Sequence, residues 1–203
     1  MEQVAQWLLE EHCSRVRCVR RDELAASHGC LFVPSISELP VFPNIIVPNQ
    51  LFLGSAASAA NKTALDQLEV THVVSIVERN MEPPFGRVHL LCQIPDDEDA
   101  RLTPVLAAAL PFIAAALAEP TGRVLVHCER GASRSVSVVV AYLMAHAVRG
   151  AAGTATAGDS LPLALADALD LVKAQRPCAQ PNVGFLRALE QLDAAALGRL
   201  WDA

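Results

Sequence analysis

One short stretch of the chain combines a thiol, guanidinium groups, a glycine and hydroxyls. It reads His127-Cys128-Glu129-Arg130-Gly131-Ala132-Ser133-Arg134-Ser135. Apolar residues 124–126 precede it and a long apolar stretch follows, so the pattern predicts a buried strand, a tight loop and a helix, in this order. Such a loop binds anions, because its backbone N–H groups turn inward and the helix N-terminus adds positive potential. Gly131 gives the loop the backbone freedom that a tight turn needs.

The residue types in this loop predict separate chemical roles. Cys128 lies at the base of the anion site, where the positive field favours the thiolate, the nucleophilic form of cysteine. Arg134 offers a planar fork that can hold two oxygens of a phosphate group. We expect Ser135 to donate a hydrogen bond to the sulfur and His127 to brace the loop from behind. The alternative is that Cys128 is only a buried structural cysteine.

Several segments of the chain resemble a known family. The loop is similar to the HCxxGxxRS signature of the cysteine-dependent tyrosine phosphatases. Residues 48–55 are similar to the opening segment of the dual-specificity branch of that superfamily. The closing segment of that branch is matched by Arg176-Pro177, Pro181-Asn182 and Phe185-Leu186. The resemblance covers residues 45–197 and implies the protein tyrosine phosphatase fold.

The resemblance also implies a mechanism. The thiolate of Cys128 attacks phosphorus to give a phosphocysteine, an aspartic acid protonates the leaving oxygen, and water then hydrolyses the intermediate. The residues expected to bind the phosphate are Glu129, Arg130, Gly131, Ala132, Ser133 and Arg134. No metal or organic cofactor is implied, and the expected partners are phosphoprotein substrates.

The substrate depends on the depth and charge of the pocket. The single tyrosine, Tyr142, falls inside a predicted helix, so the chain lacks the tyrosine-bearing loop that deepens the pocket of tyrosine-only relatives. A shallower pocket would accept phosphoserine and phosphothreonine besides phosphotyrosine. Glu129 would repel a multiply phosphorylated lipid headgroup, although Arg130 partly offsets it. Two alternatives remain open: a phosphatase for RNA, lipid or glycan phosphate, and a weakly active module that binds phosphoproteins.

The general acid must come from another segment, and residues 95–99 offer several carboxyl groups. These are Asp96, Asp97, Glu98 and Asp99. In the family that the chain resembles, the acid commonly lies six residues before a leucine that opens the next helix. Leu102 is that leucine here, which selects Asp96, with Asp97 second and Asp99 third. The alternative for most of these carboxyls is an exposed acidic turn.

Residues on two further predicted strands could act on the loop. Ser75 stands where relatives often carry an asparagine that braces the loop, and its shorter side chain predicts weaker bracing. Cys92 lies on a strand that could neighbour residues 124–127. We expect an accessible thiolate at Cys128 to oxidise readily, with Cys92 as its candidate disulfide partner.

The apolar patterns predict an alternation of strands and helices. Strands are predicted at residues 45–47, 51–53, 71–77, 88–94 and 124–127, and helices at 61–68, Thr103–Ala118, 133–148, 161–173 and 183–200. Thr103 and Asn182 are predicted helix caps, and residues 149–160 a flexible loop of Gly, Ala and Thr. This alternation predicts an α/β fold, with a largely parallel central sheet flanked by helices.

Length, charge and hydropathy exclude several classes of protein. The 203 residues suit one domain, and the net charge of −6 argues against broad nucleic-acid binding. The longest apolar stretches, 105–118 and 136–148, are shorter than the roughly 20 residues of a membrane span. Because Met1-Glu2-Gln3 does not begin a secretory signal, we expect an intracellular protein, cytoplasmic with the nucleus as a second location.

We divide the chain into an extension, residues 1–43, and a dual-specificity phosphatase-like catalytic domain, residues 44–200. Arginines of the extension could dock an acidic partner such as a kinase, or form a solvated face. They are Arg15, Arg17, Arg20 and Arg21. The six scattered cysteines indicate reduced thiols. A zinc site is an alternative for His12, Cys13, Cys18, His28 and Cys30, although their spacing fits no closed zinc site.

Overall fold

The computed structural model describes residues 41–154 and 163–201. Its strands are β1 (Asn44–Val47), β2 (Leu51–Gly54), β3 (His72–Val77), β4 (Val88–Gln93) and β5 (Val124–Cys128). They form a five-stranded sheet in the order β1-β2-β5-β3-β4. β1 is antiparallel to β2, and the pairs β2–β5, β5–β3 and β3–β4 are parallel. The predicted α/β fold with a largely parallel central sheet is confirmed.

Helices cover the sheet. They are α1 (Ala56–Ala59), α2 (Lys62–Gln67), α3 (Thr103–Ala118), α4 (Arg134–Thr154), α5 (Leu165–Gln175), α6 (Val183–Glu190) and α7 (Ala194–Trp201). Phe52, Val73 and Leu125 are in register on neighbouring strands and pack with Ala59 of α1 and Leu65 of α2. α3 and α4 pack against β4 and β5. In the part of the chain described above, no helix has the length and apolarity to cross a bilayer.

The parallel strands bring three loops to one edge of the sheet. β3 and β5 are buried along their whole length, as their apolar and β-branched residues predict. In the register of the sheet, Ile76 of β3 pairs with Cys128 on one side and with Cys92 on the other. The segments that follow these strands, residues 78–80, 94–99 and 129–133, therefore leave the sheet at the same edge, where α/β proteins bind ligands.

The extents of several predicted helices are wrong. Residues 183–200 form two helices, because the side chain of Asp193 accepts a hydrogen bond from Ala196 N at 2.6 Å and caps a new helix, α7. α4 continues to Thr154, into the predicted loop 149–160. The helix predicted at 161–173 runs from Leu165 to Gln175.

Of the two predicted helix caps, one is confirmed and one is wrong. Asn182 caps α6 as predicted, since its side chain accepts a hydrogen bond from Phe185 N. Thr103 does not cap α3, because the cap position is taken by Leu102 without a side-chain bond and Thr103 is the first helical residue. Residues 1–40 and 155–162, with the arginines and candidate zinc ligands of the extension, lie outside the described residues. The boundary at residue 43 stays a prediction.

Candidate active site

The sulfur of Cys128 lies where β5 ends and α4 begins. Cys128 is 1% exposed, and its Sγ accepts hydrogen bonds from Gly131 N at 3.1 Å and from Ser135 Oγ at 3.2 Å. Ser135 is in the first turn of α4, so the sulfur lies beside the positive end of a long helix. These donors can stabilise negative charge on the sulfur, as predicted for Cys128 and Ser135.

The cysteine loop, residues 128–135, has its carbonyl oxygens bound from outside. The oxygen of Glu129 accepts a hydrogen bond from Ala56 N at 3.1 Å, and that of Ala132 accepts one from Gln180 N at 2.7 Å. Because these carbonyls are bound on the outer side, the N–H groups of the loop are free to face inward. The loop therefore forms a nest of donors that suits an anion.

Arg176, which follows α5, completes the outer side of the loop. Its Nε donates to the carbonyl oxygen of Gly131 at 2.6 Å, and its Nη2 donates to that of Arg130 at 3.0 Å. Its Nη1 donates to Asn44 Oδ1 at 2.6 Å. The side chain is 0% exposed, and a buried guanidinium requires such acceptors. The sequence alone assigns Arg176 no role, although the match of Arg176-Pro177 to the family's closing segment points to this position.

Gly131 is confirmed as the residue that permits the tight turn. Its φ is +68°, in the left-handed region that favours glycine. A Cβ atom at this position would overlap the carbonyl oxygen of Gly54 and lie 2.5 Å from Nη2 of Arg176. Any larger residue would therefore push the cysteine loop away from the partners that hold it.

Arg134 carries a buried charge that is only partly paired. Its Nη1 donates to the carbonyl oxygen of Ile94 at 3.1 Å and lies 3.5 Å from Oε1 of Glu78. Its Nε lies 3.7 Å from Oδ2 of Asp96. Within residues 41–154 and 163–201, this Nε is a buried side-chain nitrogen without a hydrogen-bond partner. An unpaired buried donor of positive charge suits a site that receives an anion.

The acidic loop, residues 95–99, brings Asp96 against the cysteine loop. Asp96 Oδ1 accepts hydrogen bonds from Ser133 Oγ at 2.6 Å and from Asn182 Nδ2 at 2.9 Å. The carboxyl group of Asp97 stays within the acidic loop. Its Oδ1 accepts a hydrogen bond from Asp99 N at 2.8 Å and closes the turn. Of the two leading candidates for the acid, Asp96 is therefore the one whose carboxyl group reaches the cysteine loop.

Behind the cysteine loop, His127 belongs to a series of hydrogen bonds. Ser75 Oγ lies 2.6 Å from Nε2 of His127 and 2.8 Å from Nε2 of His89, and Nδ1 of His127 lies 3.4 Å from the carbonyl oxygen of Cys128. Burial lowers the pKa of His127 to about 4, so the ring is neutral at pH 7. Since a carbonyl oxygen only accepts, Nδ1 of His127 carries the proton.

The proton on Nδ1 of His127 determines the directions of the other hydrogen bonds in this series. Nε2 of His127 accepts from the hydroxyl of Ser75, and Ser75 accepts from Nε2 of His89. Ser75 therefore does contact the residue before Cys128, although a weaker brace was expected from its short side chain. The contribution of His89 had no signal in the sequence, because it depends on the register between β3 and β4.

The prediction that Cys92 could form a disulfide with Cys128 is wrong. β3 lies between β4 and β5, so the two cysteines are separated by a whole strand. Strands two places apart are roughly 9–10 Å apart, beyond the Cα separation of about 7 Å that a disulfide tolerates. Burial also raises the pKa of the Cys92 thiol to about 11, which disfavours its reactive thiolate.

The rim of the site carries charge of both signs. The carboxylate of Glu129 is partly exposed and lies 3.5 Å from Nη2 of Arg79, a residue that follows β3. Nothing in the sequence indicates Arg79 or Glu78, because both reach the site only through the packing of β3 beside β5. Glu129 and Arg130 also contribute to the cysteine loop through their backbone carbonyl oxygens, which accept the hydrogen bonds described above.

The chain is similar in sequence to known phosphatases. Residues 51–152 match the family model "Dual specificity phosphatase, catalytic domain". Dual specificity protein phosphatase 1 of Arabidopsis thaliana is 37% identical over 150 residues, which cover 73% of this chain and 68% of that protein. Human dual specificity phosphatase 28 is 36% identical over 162 residues, which cover 77% of this chain and 81% of that protein.

Solved structures show the same similarity. The crystal structure of DUSP15 matches with a TM-score of 0.68 and 28% identity, covering 80% of this chain and 94% of that one. The crystal structure of human DUSP28 matches with a TM-score of 0.64 and 33% identity, covering 75% and 93%.

Proposed function

We propose a reaction mechanism from one premise: the chain belongs to the dual specificity phosphatase family and is a protein phosphatase. In this mechanism Cys128 is the nucleophile, Arg134 binds the phosphate oxygens, Asp96 is the general acid and Ser135 stabilises the departing thiolate. The observation that carries the proposal is the arrangement around Cys128. Two donors reach its sulfur, and the loop around it has its carbonyl oxygens bound on the outside.

In the first step, the thiolate of Cys128 attacks phosphorus and the bond from phosphorus to the leaving oxygen breaks. Asp96 transfers its proton to that oxygen, so the substrate side chain leaves as a neutral hydroxyl. The inward N–H groups of the loop and the guanidinium of Arg134 stabilise the charge on the remaining phosphate oxygens. Nε of Arg134, which has no hydrogen-bond partner among the described residues, supplies one of these donors.

In the second step, water attacks the phosphorus of the phosphocysteine. Asp96, now a carboxylate, accepts a proton from the water, and the bond from sulfur to phosphorus breaks. The hydroxyl of Ser135, 3.2 Å from Sγ of Cys128, donates to the sulfur as negative charge returns to it. The products are inorganic phosphate and the free thiolate, and water is the only co-reactant.

The proposed substrates are phosphotyrosine, phosphoserine and phosphothreonine in proteins. Glu129 supports this range over multiply phosphorylated lipid headgroups, because its carboxylate lies at the rim and is only partly offset by Arg79. Docking of an acidic partner such as a kinase by the arginines of residues 1–43 is kept as a proposal, beside the alternative that these arginines form a solvated face.

The test is turnover by the purified wild type and by Cys128→Ser. The substrates are phosphotyrosine and phosphothreonine peptides, a phosphoinositide and nitrophenyl phosphate. We expect the wild type to hydrolyse both peptides and Cys128→Ser to hydrolyse nothing, with unchanged thermal unfolding because the side chains are nearly isosteric. Activity that survives Cys128→Ser would contradict the mechanism. Turnover of the phosphoinositide alone would contradict the substrate range, and peptide binding without turnover would identify a binding module.

A further inference from the structure

We propose that Asn182 is a positioning residue for the general acid. Its capping bond to α6 fixes the orientation of its amide group, and the amide then holds Oδ1 of Asp96 so that Oδ2 delivers the proton. The inference rests on the proposed function, in which Asp96 is the acid, and extends it to a residue on a separate segment of the chain.

The two ends of the Asn182 amide have different partners. Its Oδ1 accepts a hydrogen bond from Phe185 N, in the first turn of α6, at 2.8 Å. Its Nδ2 donates to Asp96 Oδ1 at 2.9 Å and to the carbonyl oxygen of Asp97 at 3.3 Å. The reverse orientation would set an NH₂ group against the N–H of Phe185 and a carbonyl oxygen against a carboxylate. The helix cap therefore determines that a donor faces Asp96.

Ser133 completes the contact on the side of the cysteine loop. The backbone N–H of Asn182 donates to Ser133 Oγ at 3.0 Å, and Ser133 Oγ donates its single proton to Asp96 Oδ1 at 2.6 Å. Oδ1 of Asp96 thus accepts from two donors and is poorly placed to carry a proton itself. The other oxygen, Oδ2, lies 3.7 Å from Nε of Arg134, on the side where the phosphate is proposed to bind.

The rest of the acidic loop could not hold Asp96 in this place. Residues 95–99 are exposed, and the neighbouring carboxylates repel one another. α6 supports the loop through a close backbone approach at Gly184, where an added Cβ would overlap the carbonyl group of Glu98. The acidic loop therefore packs against the N-terminal end of α6, and Asn182 makes the polar contact between this end and Asp96.

The experiment separates capping from positioning with two variants of the full chain. Asn182→Ser keeps an oxygen that caps α6 but removes the amide donor, and Asn182→Asp keeps the cap but sets a carboxylate against Asp96. We measure kcat/KM for aryl phosphates of rising leaving-group basicity, from nitrophenyl phosphate to phenyl phosphate, together with thermal unfolding. Asp96→Asn serves as the reference for complete loss of the acid.

We expect Asn182→Ser to lower kcat/KM for phenyl phosphate about tenfold and for nitrophenyl phosphate little, because a misplaced acid matters only when the leaving oxygen needs a proton. Asn182→Asp should lose more, because like charges would push the acid away. Both should unfold near the wild-type temperature. In the Asp96→Asn background, Asn182→Ser should have no further effect.

Failure of this inference can be told apart from failure of the proposed function. If Asp96→Asn keeps the wild-type dependence on the leaving group, Asp96 is not the acid and the proposed mechanism is wrong. If Asp96→Asn steepens the dependence but Asn182→Ser does not, the mechanism stands and the role of Asn182 is overturned. An equal loss for all substrates in Asn182→Ser, with a lower unfolding temperature, would show a purely structural role and would also overturn it.

Discussion

The cysteine loop and the acidic loop serve the same site but are held in different ways. The cysteine loop follows a buried strand, and its carbonyl oxygens are bound from outside, in part by the fully buried Arg176. The acidic loop is exposed, and the bonds that hold Asp96 come from Ser133 and Asn182, on two other segments of the chain.

This difference matches the two tasks of the site. Stabilising a phosphate requires donors that are fixed before the substrate arrives, because such donors need no reorganisation during the reaction. Delivering a proton requires one carboxyl oxygen at the leaving side, which a few contacts to an exposed loop can provide. Changes in the cysteine loop should therefore affect every substrate alike, whereas changes around the acidic loop should affect mainly substrates with basic leaving groups.

The largest effect among the variants below is expected for Arg134→Lys, which tests the first half of this comparison. Lysine keeps the charge but loses the planar fork that binds two phosphate oxygens. We expect kcat/KM to fall by about 10²–10³-fold or more, and by similar factors for nitrophenyl phosphate and for a phosphotyrosine peptide. Steady-state kinetics on both substrates checks this, and a folded Arg134→Lys enzyme with close to wild-type kcat/KM would refute it.

Asp96→Ala tests the second half and should have the next largest effect. General acid help contributes roughly 10²–10⁴-fold, and we expect kcat/KM for a phosphotyrosine peptide to fall by about 10²-fold, at the lower end of that range. The loss should be smaller for nitrophenyl phosphate, whose leaving group needs less protonation. Asp97→Ala is the matched control, because the carboxyl of Asp97 closes the turn of the acidic loop. If Asp97→Ala shows the selective loss and Asp96→Ala does not, the assignment of the acid moves by one residue.

The same contrast explains how much the sequence could predict. The cysteine loop is contiguous, so the spacing of Cys128, Gly131 and Arg134 carries its function. Asp96 was selected only through its distance from Leu102 in a resembling family, because an exposed loop of several carboxyls has no periodicity. Arg176 could not be given a role, since its contacts join residues that are 45 positions apart in the chain.

Packing also determined features that local patterns could not indicate. The bond from His89 to Ser75 depends on strand register, and Asn182 was predicted only as a cap, with no sign of its second contact to Asp96. The helix predicted over residues 183–200 is interrupted at Asp193, because the side chain of Asp193 accepts a hydrogen bond from a backbone N–H of the next turn. Apolar spacing alone does not reveal such a break.

The burial of His127, directly before the cysteine loop, predicts a pH dependence of stability. Burial lowers the pKa of His127 to about 4, against 6.5 for an exposed histidine. Between these values the unfolded chain binds a proton that the folded chain does not, so the free energy of unfolding falls as the pH falls from 6.5 to 4. At pH 5 this loss is about 2 kcal/mol relative to pH 7.

Urea unfolding of the wild type and of His127→Asn at pH 7 and pH 5 measures that contribution. The variant should lack it, because asparagine does not titrate in this range, while every other group contributes equally to both proteins. An unchanged difference between the two pH values in His127→Asn would show that the buried imidazole of His127 does not cause this loss of stability.

The smallest effect is expected for Ser75→Ala, behind the cysteine loop. The change leaves Nε2 of His127 as a buried acceptor without its donor, which lowers the free energy of unfolding by about 1–3 kcal/mol. The N–H groups of the cysteine loop keep their orientation, so kcat/KM should fall less than in Asp96→Ala, and equally for good and poor leaving groups. His89→Ala is the control. It removes the half-buried imidazole that donates to Ser75 and leaves Ser75 able to donate to His127. Urea unfolding and kinetics should both show a smaller loss for His89→Ala than for Ser75→Ala. The opposite order would mean that the bond between Ser75 and His127 contributes less to stability than the side chain of His89 does. A loss that depends on the leaving group would mean that Ser75 acts on the acid instead.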